Sequence, residues 1–289
     1  MPDTPRPALP IDGHEAATMT PPDTADGGLS AAAGTRRKRK ADRFGHILKL
    51  LSENGSVDVA NLATDLGVSE ATVRRDLQTL AQQQLLERAH GGAVFQGAAV
   101  ELPVHYRESH ARVEKQRIAS AAFERVADGD VVALTGGTTT TEIGRRLVHR
   151  ADLSVVTNAL NIAAELAVRP NIKLIVTGGV ARSASYELVG PLADSTLSKI
   201  NIDVAFIGVD GVDRDAGLTT QNETEAATNR VLIERSRKAI VVADSSKLGR
   251  VVFASICALS AVTELITDDA ADPAHVESLR AAGLKVTTV

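Results

Sequence analysis

The chain has 289 residues, room for two domains with sizeable cores; 44% are apolar but only 2% aromatic, so the cores must be built from Ala, Val, Leu and Ile. Scarce aromatics count against single-stranded nucleic-acid binding, where bases stack on rings, and the lone Cys257 excludes an internal disulfide or a Cys-based zinc site. The net charge of −4 is uneven: residues 36–95 carry ten Lys/Arg against seven Asp/Glu, whereas residues 1–35 carry one Arg against five acids, a pattern that suits phosphate contact at one end only.

No apolar run approaches the roughly 20 residues that span a bilayer, and the N-terminus has no signal-peptide core, so a reducing cytoplasm is the expected location. No cofactor or metal site is expected. Residues 1–35 are rich in Pro, Gly, Ala, Thr and Asp without periodicity and are expected to be disordered. With Arg36–Lys40 they make a tail, 1–40, whose basic run is either solvated or laid along phosphates.

From Ala41 the pattern turns helical. Phe44, Ile47, Leu48 and Leu51 stand at i, i+3, i+4 and i+7, on one helical face, and Asn54-Gly55 stops the helix. Asp58 caps a second helix, Val59–Leu66, with Leu62, Ala63 and Leu66 inward. Gly67 permits a tight turn, and Ser69 caps a third helix to about Gln83, with Val73, Leu77 and Leu80 as its buried stripe. A Gly-Gly hairpin over Leu86–Phe95 completes a winged helix-turn-helix over 41–96.

Ser69, Glu70, Thr72 and Arg75 at the start of the third helix are placed for base edges in a major groove, Arg74 for a phosphate, and Arg88 and His90 in the hairpin for the backbone or minor groove. The plainer alternative pairs Arg74 or Arg75 with Asp76 or Glu87 on a solvated face. Residues 43–93 closely resemble the N-terminal domain of DeoR-family bacterial transcriptional regulators, through Arg43, Ile47-Leu48, Val68-Ser69, Thr72-Val-Arg-Arg-Asp-Leu77, Leu86, Arg88 and His90-Gly-Gly-Ala93.

Residues 97–112, with Leu102-Pro103, read as a linker. Over 113–289, helices and short β-branched runs alternate: helices Glu114–Ala127, Thr139–His149, Leu160–Val168, Glu187–Lys199 and Glu223–Arg237; strands Val131–Thr135, Leu153–Thr157, Ile172–Thr177, Val204–Val209, Ala239–Ala243 and Glu264–Thr267; then a closing helix and strand. This predicts a parallel sheet covered on both faces, the larger α/β part of an α/β fold. Ligands in such sheets sit beyond the strands' carboxyl ends, where helix N-termini offer free N–H groups. Polar turns fall there: Thr135, Gly136, Gly137, Thr138, Thr139 and Thr140 as an anion nest, Asn158 and Asp210 for sugar hydroxyls, Gly178-Gly179, and Lys247 for a phosphate. For any single turn, a helix packed closely on its strand is the better explanation of glycine, and it is the succession of six polar turns at strand ends that points to a pocket; Lys247 is alternatively a surface lysine. Arg182 and Tyr186 line either this pocket or a subunit contact.

Residues 101–260 also resemble the DeoR-family effector domain, through Glu101-Leu-Pro103, Gly136–Thr141, Val156-Thr-Asn158, Thr177-Gly-Gly179, Asp203–Gly211, Gly217-Leu-Thr-Thr220 and Ala243-Asp-Ser-Ser-Lys247. That domain is similar to ribose-5-phosphate isomerases and coenzyme A transferases, and the resemblance implies an effector-binding and oligomerising sensor for a phosphorylated sugar. The family usually has an acid where this chain has Thr135, and serine is common at Gly136. The expected protein is a DNA-binding regulator, a homo-oligomeric repressor of a carbohydrate operon on double-stranded operator DNA. The rival is a sugar-phosphate isomerase-like enzyme fused to a DNA-binding head. Isomerases of that kind carry a lysine soon after the acidic loop, and Ala216–Gln221 has none. A purely architectural DNA protein would have no need of the glycine-threonine nests.

Overall fold

The computed structural model describes residues 40, 42–51, 54–83, 85–94, 104–107 and 110–289. The tail before Lys40 and much of the expected linker lie outside these. Ala41–Val289 forms one compact unit, comprising a small head and a larger α/β body.

In the head, a helix over 42–51 (α1) buries Phe44, Ile47, Leu48 and Leu51, the stripe its periodicity predicts. The strand Ser56–Asp58 (β1) ends on Asp58, whose Oδ1 accepts the Ala60 and Asn61 N–H groups at 2.8 and 3.2 Å and so caps α2 (Val59–Leu66). Gly67, at φ 61°, closes α2 in the left-handed region. Helix α3 (Glu70–Gln82) follows, buried along Val73, Asp76, Leu77 and Leu80. The wing is the hairpin of β2 (Glu87–Ala89) and β3 (Gly92–Val94), and β1 pairs with β3 to extend it to three antiparallel strands. A Cβ on Gly92 would lie 1.9 Å from the Val57 carbonyl oxygen, so only glycine lets these two backbones close. Three residues are too short for a pattern, which is why β1 is not visible in the sequence.

A short helix, α4 (Val104–Arg107), occupies part of the expected linker, and α5 (Arg112–Phe123) opens the body. Then come β4 (Val131–Leu134), α6 (Thr138–Leu147), β5 (Leu153–Thr157), α7 (Leu160–Leu166), β6 (Ile172–Val176), β7 (Val180–Ala181) and β8 (Leu188–Val189). They are followed by α8 (Pro191–Leu197), β9 (Ile202–Ile207), β10 (Gly211–Asp213), β11 (Gly217–Thr220), α9 (Glu223–Glu234) and β12 (Ser236–Val242). The chain closes with β13 (Ala254–Cys257), β14 (Glu264–Thr267), α10 (Pro273–Ala281) and β15 (Lys285–Thr288). Seven strands form a parallel sheet in the order β15-β14-β12-β9-β4-β5-β6. Alternate residues feed two cores: Val132, Leu134, Val204 and Phe206 face α5, α6 and α7, while Ala133, Ala205 and Ile207 face α8, α9 and α10. Both faces are covered, as continuous β-branched strands require.

Two local readings are corrected. Glu187 does not begin a helix: it immediately precedes β8, and Gly190 at φ 91° with Pro191 delays the helix to Pro191–Leu197. A second, antiparallel sheet, β10-β11-β13, and the β7-β8 hairpin are additions that alternation did not reveal. Among the described residues no helix is long and apolar enough to cross a membrane.

Candidate nucleic-acid interface and ligand site

The start of α3 presents Glu70, Arg74 and Arg75 exposed, with Thr72 half-buried. Ser69 is a cap: its hydroxyl accepts the Thr72 N–H at 3.3 Å and lies 3.0 Å from the Thr72 hydroxyl. Arg74 Nη2 stands 3.0 Å from Glu70 Oε2, a pair half exposed on both sides. Such a pair contributes little to stability. Arg75 Nε donates to the Ala71 carbonyl at 3.2 Å. The alternative partner Asp76 is occupied elsewhere, by Arg43, whose Nε and Nη2 both reach Oδ2 at 2.8 Å from α1. Arg88 and His90 are exposed on the wing, and β2 packs beside α3.

In the body, strand order reverses between β4 and β9, so the crevice of this sheet lies where Thr135–Gly137 and Gly208–Asp210 leave it. The two loops touch there, with the Gly208 N–H donating to Thr135 Oγ1 at 2.9 Å. Thr135 is fully buried and also donates to the Gly136 carbonyl at 3.3 Å, so its hydroxyl serves the junction of the two strands. Thr140 and Thr141 direct their hydroxyls to the Gly137 carbonyl at 2.9 and 2.7 Å. No side chain caps α6, and the N–H groups of its first turn, from Thr138 to Thr140, have no partner within the helix.

A continuous polar chain runs from this turn to Lys247. The Gly136 N–H and Asn158 Nδ2 both donate to Glu187 Oε1, at 2.7 and 3.3 Å. Glu187 faces Glu225, and Thr220 Oγ1 lies 2.8 Å from Glu225 Oε1 and 3.2 Å from Asp210 Oδ2. Asp210 Oδ1 meets Arg107 Nη1 at 3.2 Å and Lys247 Nζ at 3.5 Å. Burial alone would raise the Asp210 pKa, but Lys247 and Arg107 hold it below the usual range. Asp244 caps the turn Ser245–Lys247 and is held low by its bond to Ser246 and by Lys115 against the same burial. Lys115 is 4% exposed, and its ammonium donates to the Arg107 and His110 carbonyls at 3.0 and 2.5 Å. Burial pushes its pKa down to about 8. Glu187 goes the other way: full burial raises its carboxyl well above the ordinary value, with Glu225 adding to the rise and the Gly136 N–H opposing it.

Of the residues expected in the pocket, Gly136, Asn158, Asp210 and Lys247 therefore share one network. Gly178 and Gly179 follow β6 at the edge of the sheet. A Cβ on Gly179 would fall 2.8 Å from the Val189 carbonyl oxygen, so close packing of the hairpin accounts for that glycine. Arg182 pairs with Glu225. Arg107, Lys115, Glu187 and Glu225 are the members that sequence reading missed. Arg107 and Lys115 stand at and beside the aperiodic linker, while the alternation predicts helices over both Glu187 and Glu225. The signal at Lys115 is its spacing, a lysine in helical register with Ile118, Ala119 and Ala122.

A winged helix-turn-helix head joined to an α/β body with a charged cluster at its switch point defines a class, the DNA-binding regulators with a sensor domain. Residues 43–98 match the DeoR-like helix-turn-helix domain and residues 110–269 the DeoR C terminal sensor domain. The chain belongs to the DeoR family of transcriptional regulators. It is 37% identical over 247 residues to the HTH-type transcriptional regulator GlpR of Haloferax volcanii, covering 85% of this chain and 96% of that one. It is 33% identical over 230 residues to the glycerol-3-phosphate regulon repressor of Escherichia coli K12, covering 80% and 91%. It is 32% identical over 227 residues to the transcriptional repressor CsqR of the same organism, covering 78% and 87%. Among solved structures, ribose 5-phosphate isomerase A of Methanocaldococcus jannaschii is similar at 19% identity and a TM-score of 0.36, over 50% of this chain and 55% of that one. Family membership makes the protein a regulator of transcription rather than an enzyme.

Proposed function

We propose that the protein represses a carbohydrate-use operon by holding double-stranded operator DNA, and that a phosphorylated sugar at the switch point relieves repression. The observation that carries this is the pair of cations Arg107 and Lys247 on Asp210, with Lys115 bonded to the Arg107 carbonyl beside them, joined through Thr220, Glu225 and Glu187 to the Gly136 turn. The uncapped first turn of α6 suits a phosphate. Asn158 Oδ1, buried without a hydrogen-bond partner among the described residues, suits a sugar hydroxyl. The relative named for glycerol 3-phosphate regulation accords with a small phosphorylated ligand. The protein acts in the cytoplasm as a homo-oligomer, because one head makes too few contacts for specific repression and paired heads read repeated half-sites. The head 41–96, linker 97–112 and sensor 113–289 are its working parts.

The test is a thermal-shift screen with sugar phosphates followed by operator titration. A ligand that raises the unfolding midpoint and weakens operator binding about tenfold, a coupling of about 1.4 kcal/mol, supports the reading. Absence of any shift across the panel overturns it.

A further inference from the structure

Helix α4 belongs to the head and to the ligand cluster at once. Tyr106 is 6% exposed and packs with the buried residues of the head, its ring centroid 5.8 Å from that of Phe44 on α1. Its hydroxyl donates to Gln83 Oε1, at the end of α3, at 2.7 Å. The next residue, Arg107, donates to Asp210 at 3.2 Å across 103 positions of sequence. The Val104 N–H is bound by the Ala184 carbonyl at 2.9 Å, and α4 packs against α6, the helix that opens at the Gly136 turn. Lys115 grips the carbonyls of Arg107 and His110 from beneath.

Tyr106 and Arg107 are joined by one rigid peptide unit, with Cα atoms about 3.8 Å apart. A displacement of Arg107 of even an ångström or two therefore reaches the Tyr106 backbone with little slack to absorb it. A close-packed core does not deform smoothly, so a moved Tyr106 must move Phe44 or Gln83 with it. Arg107 and Lys247 both reach the same oxygen of Asp210, and a doubly charged phosphate arriving beside them competes for both cations.

We propose that α4 is the coupling element of this protein: an anionic ligand at the switch point draws Arg107 from Asp210, and Tyr106 carries that movement to α1 and α3. The ligand in this statement rests on the sugar-phosphate reading above; the coupling itself needs only Arg107, Asp210 and Tyr106. None of these residues is among those placed for DNA contact, and of the three Tyr106 is the one that packs in the head.

The coupling is tested without ligand, by operator titration of the full chain as wild type, Arg107→Gln, Tyr106→Phe and the double variant. Each single change is expected to alter operator affinity threefold or more, with the double variant falling well short of the product of the two. Asp210→Asn releases Arg107 from the other side and is expected to reproduce the Arg107→Gln effect, so a folding failure of one variant leaves the other decisive. Unchanged affinity in both Arg107→Gln and Asp210→Asn, or strictly multiplicative effects, overturns the proposal. A second arm uses glycerol 3-phosphate, with inorganic phosphate as control. Tyr106→Phe is expected to keep the thermal shift of the wild type and to lose most of the change in operator affinity. A probe panel that gives no shift refutes the ligand reading alone, since the ligand-free cycle decides the coupling by itself.

Discussion

Glu187 fills the space that Gly136 leaves empty: Oε1 accepts the Gly136 N–H at 2.7 Å, and Cγ stands 2.4 Å from the point a Gly136 Cβ would occupy. The turn and the carboxyl are thus mutually dependent. Gly136→Ala must push aside a fully buried side chain that also receives Asn158. Overpacking of this kind destabilises by about 1–3 kcal/mol. Chemical denaturation should show a lower midpoint at unchanged slope, and a wild-type midpoint would mean that Glu187 moves freely.

The same carboxyl predicts a pH dependence. Its pKa is raised above the ordinary 4.5, first by burial and then by Glu225, so between that value and the folded pKa the native state keeps a proton that the unfolded chain releases. Its contribution to stability is full at acid pH and is lost as pH rises through the folded pKa. Glu187→Gln should flatten this descent in denaturation curves recorded from about pH 5 to 8. Parallel profiles for wild type and variant would count against a retained proton.

Within the head, Arg43 neutralises Asp76, which is 4% exposed. Removing the arginine leaves a buried carboxylate unpaired, a change that costs about 3 kcal/mol. Arg43→Ala should lower the unfolding midpoint and weaken operator binding through loss of folded head, whereas Arg43→Ala with Asp76→Ala should recover part of the loss. A single variant as stable as wild type would show the pair to be incidental.

Arg74 and Arg75 should separate by the kind of DNA contact they make. Arg75→Ala should relax base preference at one operator position, an effect of about 1–3 kcal/mol of discrimination. Arg74→Ala should weaken all sequences alike and reduce the salt dependence by about one counterion. Titrations over operator variants at several salt concentrations distinguish the two, and an unchanged base preference in Arg75→Ala would remove it as a reader.

Lys247 is the outer cation on Asp210, with a side chain 18% exposed. Lys247→Ala should leave operator binding intact and weaken the response to sugar phosphate about tenfold or more, the effect expected for losing a charged hydrogen bond. Collapse of DNA binding in the absence of ligand would instead make the lysine structural.

The head was legible because its signals are local. The stripe of Phe44, Ile47, Leu48 and Leu51, the caps Asp58 and Ser69 and the turn Gly67 each act within a few residues, and each performs that role in the structure. Asp76 was visible only as a charge beside two arginines; that its partner is Arg43, 33 positions away, follows from how α1 crosses α3. The polar turns of the body were also legible, as Gly, Thr, Asn and Asp at strand ends. Arg107 was not, since nothing in an aperiodic stretch marks one arginine over another, and Glu187 was hidden by a helical reading that Gly190 and Pro191 cut short.

The sequence by itself therefore determined the winged head, the alternation of helices and buried strands, and the family to which both belong, since all three are written in periodicity, caps and short motifs. The tertiary structure alone decided which turns meet. Placing β9 beside β4, with β5 and β6 on the other side, sets Asp210 near Gly136 and leaves Gly178-Gly179 at the edge. The physical reason is that strand order is fixed by packing of two whole faces against their helices, a sum over contacts distant in sequence, whereas periodicity records only whether a segment has a buried face. The same packing brought α4 between head and body, where Tyr106 belongs to the head's core and its neighbour Arg107 to the charged cluster at Asp210.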